Sequence, residues 1–130
     1  MDLPDGLVDL LQQRSNCYLA TLMPDGSPQV TLTWVDTDGK HVLINTVESH
    51  QKVRNIRRDP RVALTVTDPA DQFRYFEVRG RVLDVATEGA AAHIEELAQR
   101  YLGTAYPWWE GRDQVRVLLT IEAEKIIGSR

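Results

Sequence analysis

Residues 41–66 read HVLINTVESHQKVRNIRRDPRVALTV, and the architecture turns on this stretch. Residues 41–46 have strand composition and end in Asn45-Thr46. Ser49 stands where an N-cap would, opening a short helix that Asp59-Pro60 stops at Arg58. Residues 61–67, RVALTVT, return to strand period, with Val62, Leu64 and Val66 on one face. The helix is therefore an excursion between two strands.

Working outward, residues 17–23 form an apolar run that ends at Pro24-Asp25-Gly26-Ser27, a strong turn signal. In residues 29–35, Val30, Leu32 and Trp34 alternate against Gln29, Thr31 and Thr33. Asp38-Gly39 makes the next tight turn, so the first three strands read as a meander of hairpins. Before them, Leu7, Leu10 and Leu11 mark a short amphipathic helix after Pro4. Downstream lies a long strand, residues 74–85, with Gly80 inside it as the sign of a bulge or a close backbone approach. Thr87 is placed to cap a second internal helix, with Ile94, Leu97, Ala98, Tyr101 and Leu102 as its buried stripe and Gly103 as its end. An aromatic loop over 104–113 leads to a last strand over 114–121. The expected fold class is mainly β: a six-stranded antiparallel barrel with helical excursions, as a single domain over residues 1–130.

Composition narrows the function. Hydrophobic residues at 42% and charged residues at 26% are ordinary for a soluble domain, and no apolar run approaches the roughly 20 residues of a membrane span. The formal net charge of −4 argues against a nucleic-acid partner. Cys17 is the sole cysteine, which excludes an internal disulfide and fits a reducing, cytoplasmic setting. Within this acidic chain, Lys52, Arg54, Arg57, Arg58 and Arg61 face one acid, Asp59, over residues 50–61. A concentrated basic segment of that kind suits a local anionic ligand.

Several chemistries are absent. There is no GxGxxG, no GxxxxGK[ST] and no GxSxG, and His41, His50 and His93 are too scattered for a metal pair. An enzyme of this sequence would rely on a cofactor. The phosphate-binding candidate is the strand-to-helix junction. Asn45 and Thr46 end the strand, Ser49 caps the helix and Lys52 lies in its first turn, where helix N–H groups and the dipole favour an anion. Other residues read as structural: Cys17 and Tyr101 as core, His41 as structural, His93 as surface, Trp34 as core or subunit contact.

Taken together, YLATLMPDGSPQVTLTWVD, HVLINTVESHQKVRNIRRDPRVALTV, FEVRGRVL and RVLLTIEAEKIIG span nearly the whole chain. In this order they resemble the split β-barrel flavin and deazaflavin oxidoreductases, which include the pyridoxamine 5′-phosphate oxidases and the coenzyme F420-dependent enzymes. KxRNIRRDPRVAL and the short length look most like the deazaflavin-using branch. The resemblance implies a homodimer with cofactor sites at the subunit interface and a hydride exchange between F420 and a small conjugated substrate. The alternatives it leaves are an FMN-dependent oxidase or flavin reductase, and a non-catalytic flavin or haem carrier. Lys52 matches the phosphate-binding lysine, preceded by Asn45, Thr46 and Ser49. His50 stands where arginine is common. Val30, Thr31 and Leu32 match the segment along the flavin ring, Arg116 matches a basic residue opening the last strand, and Trp108 or Trp109 would cover the cofactor from the partner subunit.

Overall fold

The strands of this chain pair into one sheet that curls around a main core, and a second, smaller cluster of Ile94, Leu97, Ala98 and Tyr106 packs where the last helix meets the aromatic loop. The computed structural model describes residues 1–129. Its elements run α1 (Asp5–Leu11), β1 (Asn16–Leu22), β2 (Pro28–Thr33), β3 (Asp36–Thr37), β4 (Val42–Val47), α2 (Gln51–Arg58), β5 (Arg61–Asp68), β6 (Asp71–Ala86), α3 (Ala90–Leu102) and β7 (Arg116–Gly128). All strands belong to one antiparallel sheet, in the order β2-β1-β5-β6-β7-β4-β3. The sheet curls into a split barrel.

Two expectations about strands are corrected. The sheet has seven strands, because Asp36 and Thr37 form a two-residue strand against Leu43 and Val42. The opening meander also stops after one hairpin. β1 pairs with β2, but β4 pairs with β7, with Thr46 opposite Val117 and Val47 opposite Arg116. The burial of β4 explains this: all but Leu43 of its residues are buried, and a strand covered on both faces belongs inside a sheet. The helix boundaries also shift. α2 starts after His50, whose backbone is extended, and α3 starts after Gly89, so neither Ser49 nor Thr87 is the N-cap. The turn closed by His50 N–H donating to Val47 C=O takes up Ser49 before the helix begins.

Inside the curl, α1 buries Leu7, Leu10 and Leu11 completely against a core that includes Leu19, Ile44, Leu119 and Ile121. Each of those leucines contributes roughly 1.5–3 kcal/mol by leaving water. Gly80 lies at a bulge where β6 meets β7, and a Cβ there would come within 2.1 Å of the Glu122 carbonyl oxygen. Only glycine lets the two strands pair at that point. β2 is turned in an unexpected sense: Thr33 is buried, while Val30 and Leu32 are 62% and 60% exposed. With half-exposed Tyr18 on β1, they leave an apolar face outside the barrel.

Candidate functional site

Where β4, the start of α2 and the start of β7 converge, the chain forms a cavity of about 280 Å³ that opens to solvent. β4 supplies Asn45, Thr46 and Val47, and the turn after it supplies His50. Lys52 enters from the first turn of α2 and Arg116 from the first residue of β7. Opposite them stand Leu32, Thr33 and Trp34, with Asn16, Ile94, Tyr106 and Trp109 completing the wall.

Two cations dominate its chemistry. Lys52 and Arg116 are each only 8% exposed, and neither forms an ion pair with any carboxylate among the described residues. The Lys52 ammonium has no hydrogen-bond partner there either. Burial, and then the neighbouring Arg116, hold the Lys52 amine below its ordinary value, against a smaller opposing influence of Cys17. Burial likewise lowers Arg116, with Tyr106 and Glu110 opposing.

The Arg116 guanidinium is held on one edge. Its Nε donates to Asn45 Oδ1 at 2.9 Å, and Nη1 donates to the Tyr106 hydroxyl at 3.2 Å and to Gln114 Oε1 at 2.9 Å. The ring of Tyr106 lies 5.2 Å beneath it. Nη2 has no partner among the described residues. Lys52 and Arg116 thus bring unused cationic donors to one cavity, and an anion is the ligand that would satisfy them.

Behind this rim, Asn45 Nδ2 donates to the Ala90 carbonyl at 2.8 Å and contacts His93 Nδ1 at 3.1 Å. His93 Nε2 contacts Asp36 Oδ2 at 2.9 Å, and Arg100 donates to Asp36 Oδ1 at 2.6 Å. Burial pushes the Asp36 carboxyl up, but the bonds from His93 and Arg100 outweigh it and bring it to about 2. His93 is therefore not the surface residue that its polar helix turn implied; it is half-buried in a polar chain linking α3, β3 and β4.

The aromatic wall rests on a stack. Trp34 lies on Tyr101 at 4.8 Å and 10°, and the Tyr101 hydroxyl donates to Ser15 C=O at 2.7 Å while accepting from Val35 N–H at 3.1 Å. Trp109, 67% exposed, meets Tyr106 and Trp34 edge to face at 5.4 and 6.5 Å. Glu95 pins the loop from below, accepting from Tyr106 N–H at 2.7 Å and Trp108 Nε1 at 3.0 Å.

Of the residues singled out in the sequence, the structure gathers Asn45, Thr46, His50, Lys52, Leu32 and Arg116 around one cavity. Ser49 is not among the lining residues; its carbonyl accepts from Arg54. Val30 points to the outer face, and the Thr31 hydroxyl is buried without a partner. Trp108 packs on Tyr106 and binds Glu95, and Trp109 lines the cavity of its own chain, whereas the resemblance places one of the two on the partner's site. Sequence reasoning missed Asn16, Thr33, Trp34, Ile94 and Tyr106. A signal existed for Trp34, which shares its strand face with Leu32. Ile94 looked like any other residue of a buried helix stripe.

Residues 3–129 match the model of the family described as pyridoxamine 5′-phosphate oxidase. Among solved structures, one named F420 reductase is 32% identical, with a TM-score of 0.84, covering 98% of this chain and 100% of that one. A conserved hypothetical protein from Mycobacterium tuberculosis is 25% identical, with a TM-score of 0.74 over 97% of this chain and 84% of its own. A putative pyridoxamine 5′-phosphate oxidase from Listeria innocua, 20% identical over 95% of both chains with a TM-score of 0.70, shares the fold. On the family match across nearly its full length and on the split barrel, this chain belongs to the pyridoxamine 5′-phosphate oxidase family of flavin-related oxidoreductases.

Proposed function

We propose that this protein is a homodimeric oxidoreductase that uses coenzyme F420 to pass a hydride to or from a small conjugated organic substrate. The observation that carries this reading is the pair of buried cations, Lys52 and Arg116, opening on one cavity with no carboxylate among the described residues in ion-pair contact with either. The donor set fits the anionic tail of such a cofactor, and it would fit the phosphate of FMN as well. The 32% identity to the F420 reductase favours the deazaflavin.

Lys52 Nζ and Arg116 Nη2 would hold the phosphate, with the Thr46 hydroxyl and His50 at its edge. At about 280 Å³ the cavity falls just below the roughly 300–1,000 Å³ of most ligand pockets, so it suits the tail better than the whole molecule. The ring system would extend along Leu32 toward the exposed face of β2, where a second copy of the chain would cover it. Trp34 and Trp109 offer flat apolar walls to a conjugated substrate. When bound, the deazaflavin supplies two-electron hydride chemistry at C5, and it reacts poorly with oxygen. The chain's own part is to bind the tail, orient the ring and exclude water.

Parallel titration of the purified protein with F420 and FMN tests this. We expect saturable quenching of F420 fluorescence and weaker binding of FMN. Protein that purifies yellow with stoichiometric FMN and leaves F420 unquenched would overturn the choice of cofactor.

A further inference from the structure

The orientation of the Asn45 amide is decided by chemistry. Arg116 Nε–H can only donate, so the atom 2.9 Å away is the amide oxygen. The Ala90 carbonyl can only accept, so the atom 2.8 Å from it is the amide nitrogen. The same nitrogen faces His93 Nδ1 at 3.1 Å, which must therefore accept and carry no proton. The proton of the neutral ring then lies on Nε2 and is donated to Asp36 Oδ2. Arg116, Asn45, His93 and Asp36 form one directed chain, with Arg100 holding its far end.

We propose that His93, acting through Asn45, is a positioning residue for the Arg116 guanidinium, and that a proton on His93 Nδ1 releases it. A proton there would set N–H against NH₂ across 3.1 Å. Turning the amide would relieve that clash, but it would set NH₂ against Arg116 Nε–H and the amide oxygen against the Ala90 carbonyl. Either result loosens the group that fixes Arg116. The charged groups around His93 are Asp36 on β3, Arg100 on its own helix, and Arg116 on β7 reached through Asn45. This inference rests on the reading of the cavity as an anion site, and it adds a sign to that reading.

The sign separates it from plain electrostatics. A nearby protonated histidine should strengthen anion binding by attraction. The relay predicts the reverse: protonation of His93 weakens binding, and by reciprocity a bound anion makes His93 harder to protonate. His50, at the cavity rim with Glu110 at 3.5 Å, would add the ordinary attractive effect, so the test begins with His50→Gln. The probe is sulfate, which does not titrate between about pH 5 and 8, the range in which histidine changes charge.

Nitrogen-detected NMR of the His50→Gln protein reads the His93 ring directly. We expect the neutral Nε2–H tautomer, a His93 titration that moves to lower pH with sulfate, and sulfate affinity that falls about tenfold or more on acidification, as an oriented charge-assisted bond is lost. A neutral Nδ1–H tautomer, or a titration that moves to higher pH with sulfate while Lys52 still responds to it, would overturn the relay and leave the anion site standing. Sulfate that perturbs neither Lys52 nor the Arg116 Nε–H at any pH would overturn the anion site and the relay with it. His93→Gln gives a second reading: it removes the ionisable ring from the chain, so the pH dependence of sulfate binding should vanish. Unchanged pH dependence in that variant counts against the relay.

Discussion

A lysine ammonium held 8% exposed, beside an arginine and with no acid paired to it among the described residues, costs the ligand-free fold free energy. Removing that charge is therefore a gain for the ligand-free protein. Lys52→Met, which keeps the stem and removes the charge, should stabilise the free protein by about 1–2 kcal/mol while weakening F420 binding. The pH dependence follows from the depressed value of the amine. The penalty is present wherever Lys52 is charged in the fold, and it fades as pH rises through the folded value toward the ordinary one near 10.4. The advantage of Met over Lys should therefore be largest near neutrality and shrink toward about pH 10, as read by thermal denaturation. Arg57, paired with Glu48 and half-exposed, is the control, and Arg57→Ala should bind cofactor nearly as wild type does. Lys52 was legible in the sequence because a lysine in a first helical turn is out of place by the dipole rule. His93 was not, because its partners Asn45 and Asp36 lie 48 and 57 residues away.

Among elements, the loop after α3 separates two adjacent tryptophans by what each touches. Trp108 adopts a positive φ of 51°, donates to Glu95 and packs edge to face on Tyr106 at 5.2 Å. Trp109 reaches the cavity. Trp108→Ala should cost about 1–3 kcal/mol of stability, whereas Trp109→Ala should cost little stability and raise the apparent KM of a conjugated substrate. Equal effects on melting temperature would contradict this division. The hydrophobic pattern gave the existence of α1, α3 and the long β6, since each carries its own period, while α2 was marked by the Asp59-Pro60 stop at its end. It could not give the partner of β4, because a strand's edge can pair with any strand of matching length, and Val47 meets its partner Arg116 only 69 residues further along the chain. The two-residue β3 has no period to read at all.

At the scale of the whole molecule, one face of the barrel is unlike the rest. Val30 and Leu32 stand outward at 62% and 60% exposure, and the groove beside them is lined by Tyr18, Ala20, Ala63, Leu64 and Thr65, with Glu77 at its edge. An apolar face of this kind belongs in an interface. On the proposed dimer, we expect about 2,000 Å² or more to be buried and a dimer at micromolar concentration by sedimentation velocity. Val30→Glu should shift that equilibrium toward monomer and weaken F420 binding along with it, because the ring would lose its cover. A wild-type monomer at those concentrations would contradict the shared site.

The claim on which the rest depends is that Lys52 and Arg116 wait for an anion. A crystal structure of the protein soaked with F420 tests it most directly. The account predicts the phosphate of the tail between Lys52 Nζ and Arg116 Nη2, within hydrogen-bond reach of both, and the ring along Leu32. A phosphate bound elsewhere, with both cations left facing solvent or an acid of the chain, would contradict it.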